Sequence, residues 1–392
     1  MGAIKRETKR KLLSLIHDAQ ARVDKIKVNG LLKNYSTNVI KNEKPLQVKS
    51  IVFIITRMVR FHGGQTSILR LGTELSKLGY NVGYAVYKAQ TKEEMELCAR
   101  SNLESFQGKL YTMYDLDDLK NILNPDVVIA TSWDTVSFAK QFRSYRMYFV
   151  QDYEPYFYPF GEQFLLAKKT YEQGLHMVSL GSWNKMMIET NCSPVSPIDV
   201  VEFPYEKKEY PLKNRQYEDY KSKKQFVIAV YLKYYGKRLP CILQYMLTEV
   251  QNMFAKDGIT LDVQYYGEAK SFKAKGGKNL GMLNKKELLE LYQRADFGIV
   301  ASMSNVSLVP YEMLATGLPL IEFKDGTFDY FFPDNCAALV DISPNDLYIK
   351  MKECIQNPEI MRIRQENANA YLKTLSWEKT GKEFSQILKR LI

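Results

Sequence analysis

Histidine is scarce in this chain. His17, His62 and His176 are the only three in 392 residues, and they stand far apart. A histidine-based metal centre is therefore not expected. The five cysteines (Cys98, Cys192, Cys241, Cys336 and Cys354) are odd in number and never spaced as C-x-x-C. That argues against a disulfide framework or a zinc site and for reduced thiols. No apolar run approaches the roughly 18 to 20 residues that span a bilayer. The amino terminus is basic but lacks the apolar core and small-residue cleavage site of a secretory signal. On these grounds the chain is expected in the cytoplasm. G-x-G-x-x-G and Walker A loops are missing as well, as are low-complexity tracts and short repeats.

What is present points to two folded domains. The chain is too long for one compact core, and 45% apolar residues suffice for two. The formal net charge of +11 suggests a polyanionic partner: nucleic acid, an anionic membrane face or a phosphorylated ligand. The basic excess is concentrated early, in KRETKRK. Residues 3–28 have a helical pattern, with Leu12, Leu13, Ile16, Ala19 and Val23 on one side and Lys and Arg on the other. Such a helix docks on the protein body or lies on an anionic membrane.

KSIVFIIT (49–56) is a continuous apolar run, the mark of a strand buried on both faces. Strand-like runs recur at 81–87, 126–132, 146–152 and 176–182, with helical segments between them. The charged, Tyr-rich stretch over 206–224 breaks the pattern and is assigned as an interdomain linker. Alternation then restarts at QFVIAVYL (225–232) and continues through 259–267, 296–302 and 318–323. The expected fold is α/β, with two Rossmann-like domains whose parallel sheets face a central cleft. The expected division is a basic helical extension over 1–45, a first domain over 46–205, the linker, and a second domain over 225–374. Residues 375–392 are expected to form a helix packing back on the first domain.

In open parallel sheets, ligands bind beyond the carboxyl ends of the strands, at helix amino termini. Four segments fall there. HGGQTS (62–67) follows the first strand, and its paired glycines allow a tight turn and close backbone approach. LKYYGKRLP (232–240) places Lys233, Lys237 and Arg238 where cations would neutralise a diphosphate leaving group. In SNVSLVPYEMLATGLP (304–319), Ser304, Asn305 and Ser307 stand where a helix begins, with Pro310 in its first turn. Its uncapped N–H groups would favour phosphate. Glu312, with no evident internal partner, is expected to face the cleft. Last, VQDYEPYFYPFGEQF (150–164) crowds five aromatics into residues 153–160, beside Gln151, Asp152 and Glu154. Such rings stack on sugar faces, although aromatic clusters are more often core.

Two Rossmann-like domains, a Gly-Gly loop after the first strand, a basic pair after the linker strand and E-x4-G-x-P together resemble a GT-B glycosyltransferase, nearest the retaining group called family 4. YFVQDYEPYFYPFGEQFLLAKKTYEQG, LKYYGKRLP and PYEMLATGLPLI resemble the WsaF-type bacterial rhamnosyltransferases that build surface polysaccharides. The resemblance covers about residues 48–392. It implies a nucleotide-sugar donor held mainly by the second domain, an acceptor held by the first, no metal or other cofactor, and retention of configuration. Carried over, Glu312 binds the nucleotide ribose, and Lys233 and Lys237 act on the diphosphate with Arg238 in support. Ser304, Asn305, Val306, Ser307 and Leu308 cradle phosphate. Gly63, Gly64 and Gln65 approach the donor from the opposite domain, while the segment from Gly281 to Leu283 lies at the base. Asp152 stands at the reacting centre, with Gln151, Tyr153, Glu154 and Tyr156 at the acceptor.

The chain departs from the common pattern in three places. E-x7-E has lost its first acid to Ser304. Lys233 replaces an arginine, losing a bidentate fork. Gln151-Asp152 stands where a cleft histidine is frequent. These changes suit a donor sugar contacted differently, such as a 6-deoxy sugar. The resulting expectation is transfer of L-rhamnose from dTDP-L-rhamnose to a growing surface glycan or lipid-linked saccharide, with peripheral contact at the inner membrane face and no nucleic-acid partner. UDP- or GDP-linked donors, a nucleotide-sugar epimerase and a non-catalytic nucleotide- or glycan-binding scaffold remain as alternatives.

Overall fold

The computed structural model describes all residues except 1, 34, 114, 116, 119–123, 207 and 235–237, and gives the backbone alone for 2–13, 17 and 27. The chain opens with α1 (Gly2–Leu32). The first domain then runs through β1 (Ser50–Ile55), α2 (Gly63–Lys77), β2 (Asn81–Val86), α3 (Lys92–Asn102), β3 (Lys109–Thr112), β4 (Val127–Ala130) and α4 (Trp133–Ala139). It continues through β5 (Tyr145–Val150), α5 (Glu162–Thr170), β6 (His176–Leu180), α6 (Ser182–Asn191) and β7 (Ile198–Val201). Among the described residues these strands form one sheet in the order β3-β2-β1-β4-β5-β6-β7, and every neighbouring pair is parallel.

The second domain runs through β8 (Gln225–Tyr231), α7 (Pro240–Lys256), β9 (Thr260–Tyr266), β10 (Lys278–Asn279), α8 (Lys285–Arg294), β11 (Phe297–Ile299) and α9 (Leu308–Ala315). After β12 (Leu320–Phe323) and β13 (Ala338–Val340) come α10 (Pro344–Gln356), α11 (Pro358–Leu372) and α12 (Trp377–Lys389). Its sheet is again all parallel, in the order β10-β9-β8-β11-β12-β13. Both orders place a topological switch point beside the first strand of the domain, between β1 and β4 and between β8 and β11. There the crossover helices diverge to opposite faces and leave a crevice above the carboxyl ends.

The central strands are apolar throughout because helices cover both faces. Ile51, Phe53 and Ile54 of β1 and Phe226, Ile228, Ala229 and Val230 of β8 have no exposed surface. β3, β7, β10 and β13 were not singled out by their sequence pattern. They sit at or next to the sheet edges and are short, and three of them are only partly buried.

Beyond α11 the chain crosses back to the first domain. In α12, Phe384 packs edge-on against Phe149, the Ser385 hydroxyl lies 2.9 Å from that of Tyr80, and Arg390 pairs with Asp199 at 2.7 Å. At Gly381 a side chain would meet Glu74 Cβ at 2.6 Å, so close packing on α2 requires glycine there. The stretch ahead of β8 ties both domains together. Arg70 of α2 reaches Glu206 at 3.3 Å and Glu209 at 2.6 Å, and Glu209 also takes Lys285 of α8 at 2.7 Å. Phe203 stacks on Tyr311 of α9 with ring centroids 4.9 Å apart.

Candidate active site

The loop after β1 is held by three amide side chains. Gln65 accepts from Val59 N–H and donates to the Arg57 carbonyl, both at 2.7 Å. Gln90 closes the same two-way bond on Met58, and Asn102 bonds His62 N–H and the Val59 carbonyl. Gln65 thus commits both ends of its amide to the loop while lining the cavity described below. The turn itself is also made differently. The left-handed residue is Phe61, at φ 53°, and neither Gly63 nor Gly64 has positive φ. The two glycines form the first turn of α2 instead. A side chain at Gly63 would meet nothing within 4 Å, and one at Gly64 would meet only the His62 ring and the Gln151 side chain at ordinary contact distance. Their service is open space over a helix amino terminus.

The second domain repeats the device. Leu239, at φ 45°, turns the chain into α7. Lys233 is half-buried at the end of β8 and makes no ion pair among the described residues. Lys237 lies outside the described residues. Arg238 is buried and donates to the Ala301 carbonyl at 3.0 Å, with Ser302 Oγ at 3.5 Å. Arg238 therefore braces the loop after β11. That loop has a further support that sequence reasoning missed. Glu322 of β12 is fully buried and accepts Ser302 N–H at 3.0 Å and Ser302 O–H at 2.7 Å. Burial pushes its carboxyl up to about 8, against the pull of the Ser302 bonds and of Arg238.

On this brace stands the amino end of α9. Val306 is buried in the core and Leu308 is packed against it, so these two anchor the loop. Ser307 is the N-cap, yet its hydroxyl makes no capping bond. Ser307 Oγ and Asn305 Oδ1 are buried and have no hydrogen-bond partner among the described residues. Glu312, one turn further, is partly exposed. Contrary to expectation it has a partner within the protein: Tyr292 donates to its Oε2 at 3.4 Å, and the phenol of Tyr210 in the linker stretch also favours its charged form. Burial raises this carboxyl to about 7 despite those bonds. Gly281 adopts φ 90° and accepts from Gly267 N–H at 2.9 Å, and Leu283 packs against the core. Gly281 is thus required by its own backbone.

The segment after β5 divides. Tyr153 is buried and stacks on Tyr171, with centroids 5.8 Å apart. Glu154 is also buried, accepting from Trp133 N–H and from the Tyr148 hydroxyl at 2.8 Å each. Desolvation pushes it up to about 8. These two residues build the site's wall: Tyr153 turns its ring into the core, while Glu154 lines the cavity described below with two of its acceptor positions already taken. Tyr156 is 45% exposed. Gln151 and Asp152 meet the second domain. Asn305 Nδ2 donates to the Gln151 carbonyl, and the Ser304 hydroxyl lies 3.3 Å from Asp152 Oδ2.

A cavity of 760 Å³ opens above the carboxyl ends of β1, β2, β4 and β5. Thr56, Tyr87, Trp133, Asp134, Gln151 and Glu154 line it, and the last turns of α1 form its far side. Its size is that of a small-ligand site. Asp134, which sequence reasoning did not single out, accepts from Thr56 at 2.7 Å and from Tyr87 at 2.8 Å, and its other oxygen takes Ser132. A lone Asp in TSWDTV carries no sequence signal of that kind. Among the described residues, no group of three or more His, Cys, Asp or Glu is arranged to hold a metal ion.

Two doubly wound parallel sheets, facing each other with loops at their carboxyl ends, define the GT-B fold, and this chain has it. Solved structures share the architecture over nearly their whole length. HepE from Anabaena, in complex with UDP and glucose, is 11% identical with a TM-score of 0.68, covering 87% of this chain and 100% of that one. A glycosyltransferase from Rickettsia africae is 15% identical at a TM-score of 0.64, covering 88% and 99%. A variant of TarM from S. aureus, in complex with fondaparinux, alpha-GlcNAc-glycerol and UDP, is 8% identical at 0.68, covering 87% and 100%. In sequence, a family model described as the WsaF N-terminal domain matches residues 116–182. That segment contains β4, β5, β6 and the aromatic wall. No curated protein sequence matches the chain.

Proposed function

We propose that this protein is a glycosyltransferase that moves a sugar from a nucleotide-sugar donor to a saccharide acceptor. The finer reading is L-rhamnose carried by dTDP and a growing bacterial surface polysaccharide as acceptor, with retention of configuration. The observation that carries the reading is the amino end of α9. A loop there keeps Asn305 Oδ1 and Ser307 Oγ buried and, among the described residues, unpartnered, next to a helix amino terminus and against Gln151 and Asp152 of the first domain. Buried polar atoms are ordinarily paired, so a polar ligand is the natural partner.

In this reading Lys233 and Lys237 neutralise the departing diphosphate without a metal ion, and Arg238 holds the loop that cradles it. Glu312 takes the nucleotide sugar ring. Asp152 positions the acceptor hydroxyl, and the aromatic-walled cavity holds the acceptor saccharide. The WsaF match over 116–182 supports the rhamnosyl variant, because it falls on the wall of that cavity. A UDP-linked donor is the second reading, favoured by the UDP complexes of HepE and TarM. Peripheral membrane contact in the cytoplasm is supported by α1, where Leu15, Ile16, Val23 and Ile26 are all at least half exposed among lysines and arginines.

Incubation with dTDP-rhamnose and a surface-saccharide acceptor tests the reading. It expects acceptor-dependent release of dTDP and a deoxyhexose mass added to the acceptor. Sugar transfer from UDP- or GDP-linked donors alone would replace the donor assignment. Binding of nucleotide without any transfer would leave a scaffold.

A further inference from the structure

The loop ahead of α9 is held in a state that it would not adopt alone. Asn305 Oδ1 and Ser307 Oγ are buried without a hydrogen-bond partner among the described residues, and α9 starts without a side-chain cap. Buried polar atoms in that condition are costly, and a loose loop would turn to pair them. Such a conformation persists only where the surrounding structure over-determines it.

The restraint is concentrated at Ser302, just before the loop. Every polar atom of Ser302 is engaged. Its N–H and O–H both go to Glu322 of β12, at 3.0 and 2.7 Å. Its carbonyl accepts twice from Thr327, from the N–H at 2.7 Å and from the O–H at 3.0 Å. Ser302, Glu322 and Thr327 are all buried. The bond from the Thr327 hydroxyl is not the one its position would suggest. Thr327 is the N-cap of the short 3₁₀ turn Phe328–Tyr330, where a threonine hydroxyl ordinarily caps. It makes no capping bond and reaches back across 25 residues to Ser302 instead. The approach is close, since a side chain at Gly326 would meet the Ser302 carbonyl at 2.7 Å. The Thr327 N–H already pairs that carbonyl, so the hydroxyl is a second tether on it. We propose that Thr327 is a positioning residue for the donor: its hydroxyl, with Glu322, fixes Ser302 so that the loop over 303–307 stays open to the diphosphate. The proposal rests on the reading of that loop as the phosphate cradle.

The test is calorimetric titration of the full chain with whichever of dTDP, UDP and GDP the wild type binds most tightly, on wild type, Thr327→Val and Thr327→Ser. Valine keeps the shape of threonine and leaves the Ser302 carbonyl paired to the backbone N–H. The melting temperature of Thr327→Val should therefore stay within about 4 °C of the wild type. Its affinity should fall about three- to tenfold, the worth of one neutral hydrogen bond, and Thr327→Ser should recover it to within about twofold. Wild-type affinity in Thr327→Val overturns the proposal. So does an equal loss in Thr327→Ser, which keeps the hydroxyl. A larger fall in the melting temperature of Thr327→Val also overturns it, because the bond then supports the fold rather than the loop. If the wild type binds none of the three nucleotides, the donor reading itself fails and takes this proposal with it, a result distinct from the others.

Discussion

The hydroxyl of Ser304, in the second domain, lies 3.3 Å from the Asp152 carboxylate of the first. Beside it, Asn305 donates to the Gln151 carbonyl. The loop proposed to cradle phosphate thus meets the residue proposed to position the acceptor. The contact joins the carboxyl end of β5 to the amino end of α9, the two places where each sheet offers a ligand site. Donor and acceptor groups would meet along this line, so each partner in it has a separable consequence.

Asp152→Asn is expected to lower the rate of sugar transfer by about 10² to 10⁴. Affinity for dTDP should change by less than about threefold, because the residue faces the acceptor side. Initial rates together with calorimetry separate these effects. A parallel loss of dTDP affinity would move Asp152 to the donor.

Gly63→Leu should fold normally, since a side chain there meets nothing within 4 Å. Losing a helical glycine gains up to about 1 kcal/mol, so the melting temperature should hold or rise. Donor affinity should nonetheless fall by about tenfold or more if a ligand approaches the start of α2. Unchanged affinity would mean that the open space over α2 is not used by the donor.

Arg70 is buried and serves two carboxylates with different nitrogens. Arg70→Lys cannot reproduce that fork. The loss is expected at about 2 to 3 kcal/mol, below the range for a fully buried pair because both glutamates keep some solvent contact. Chemical denaturation measures it, and a loss near zero would show that the clamp between the domains contributes nothing.

Glu322 carries a pH dependence. Its carboxyl titrates near 8 in the folded chain and near 4.5 when unfolded. Between those values the folded state holds a proton that the unfolded state has lost. Stability therefore falls as pH rises through this window, by up to about 1.4 kcal/mol per unit. Glu322→Gln removes that slope and keeps an acceptor for Ser302 N–H. Denaturation at pH 5 and pH 8 should show the variant gaining on the wild type at the higher pH. A constant difference would indicate that Glu322 is ionised throughout.

The fold was legible because buried parallel strands are written as apolar runs, as in SIVFII and FVIAVY, and the edge strands were not because they are short and half wet. The places where loops leave the carboxyl ends of the strands were legible from position alone, as at Lys233, Ser304 and Gly63. Side-chain partners were not legible where they come from elsewhere in the chain: Tyr153 stacks on Tyr171, and Glu312, expected to lack an internal partner, meets Tyr292. Asp134 and Glu322 gave no local signal, because only the sheet order brings Thr56, Tyr87 and Ser302 to them.

The most direct measurement is calorimetric titration of the wild type and of Glu312→Ala with dTDP, UDP and GDP. The account predicts that one nucleoside diphosphate, dTDP, binds the wild type and that the variant binds it at least about tenfold more weakly. Absence of binding by all three, or full affinity in Glu312→Ala, would contradict it.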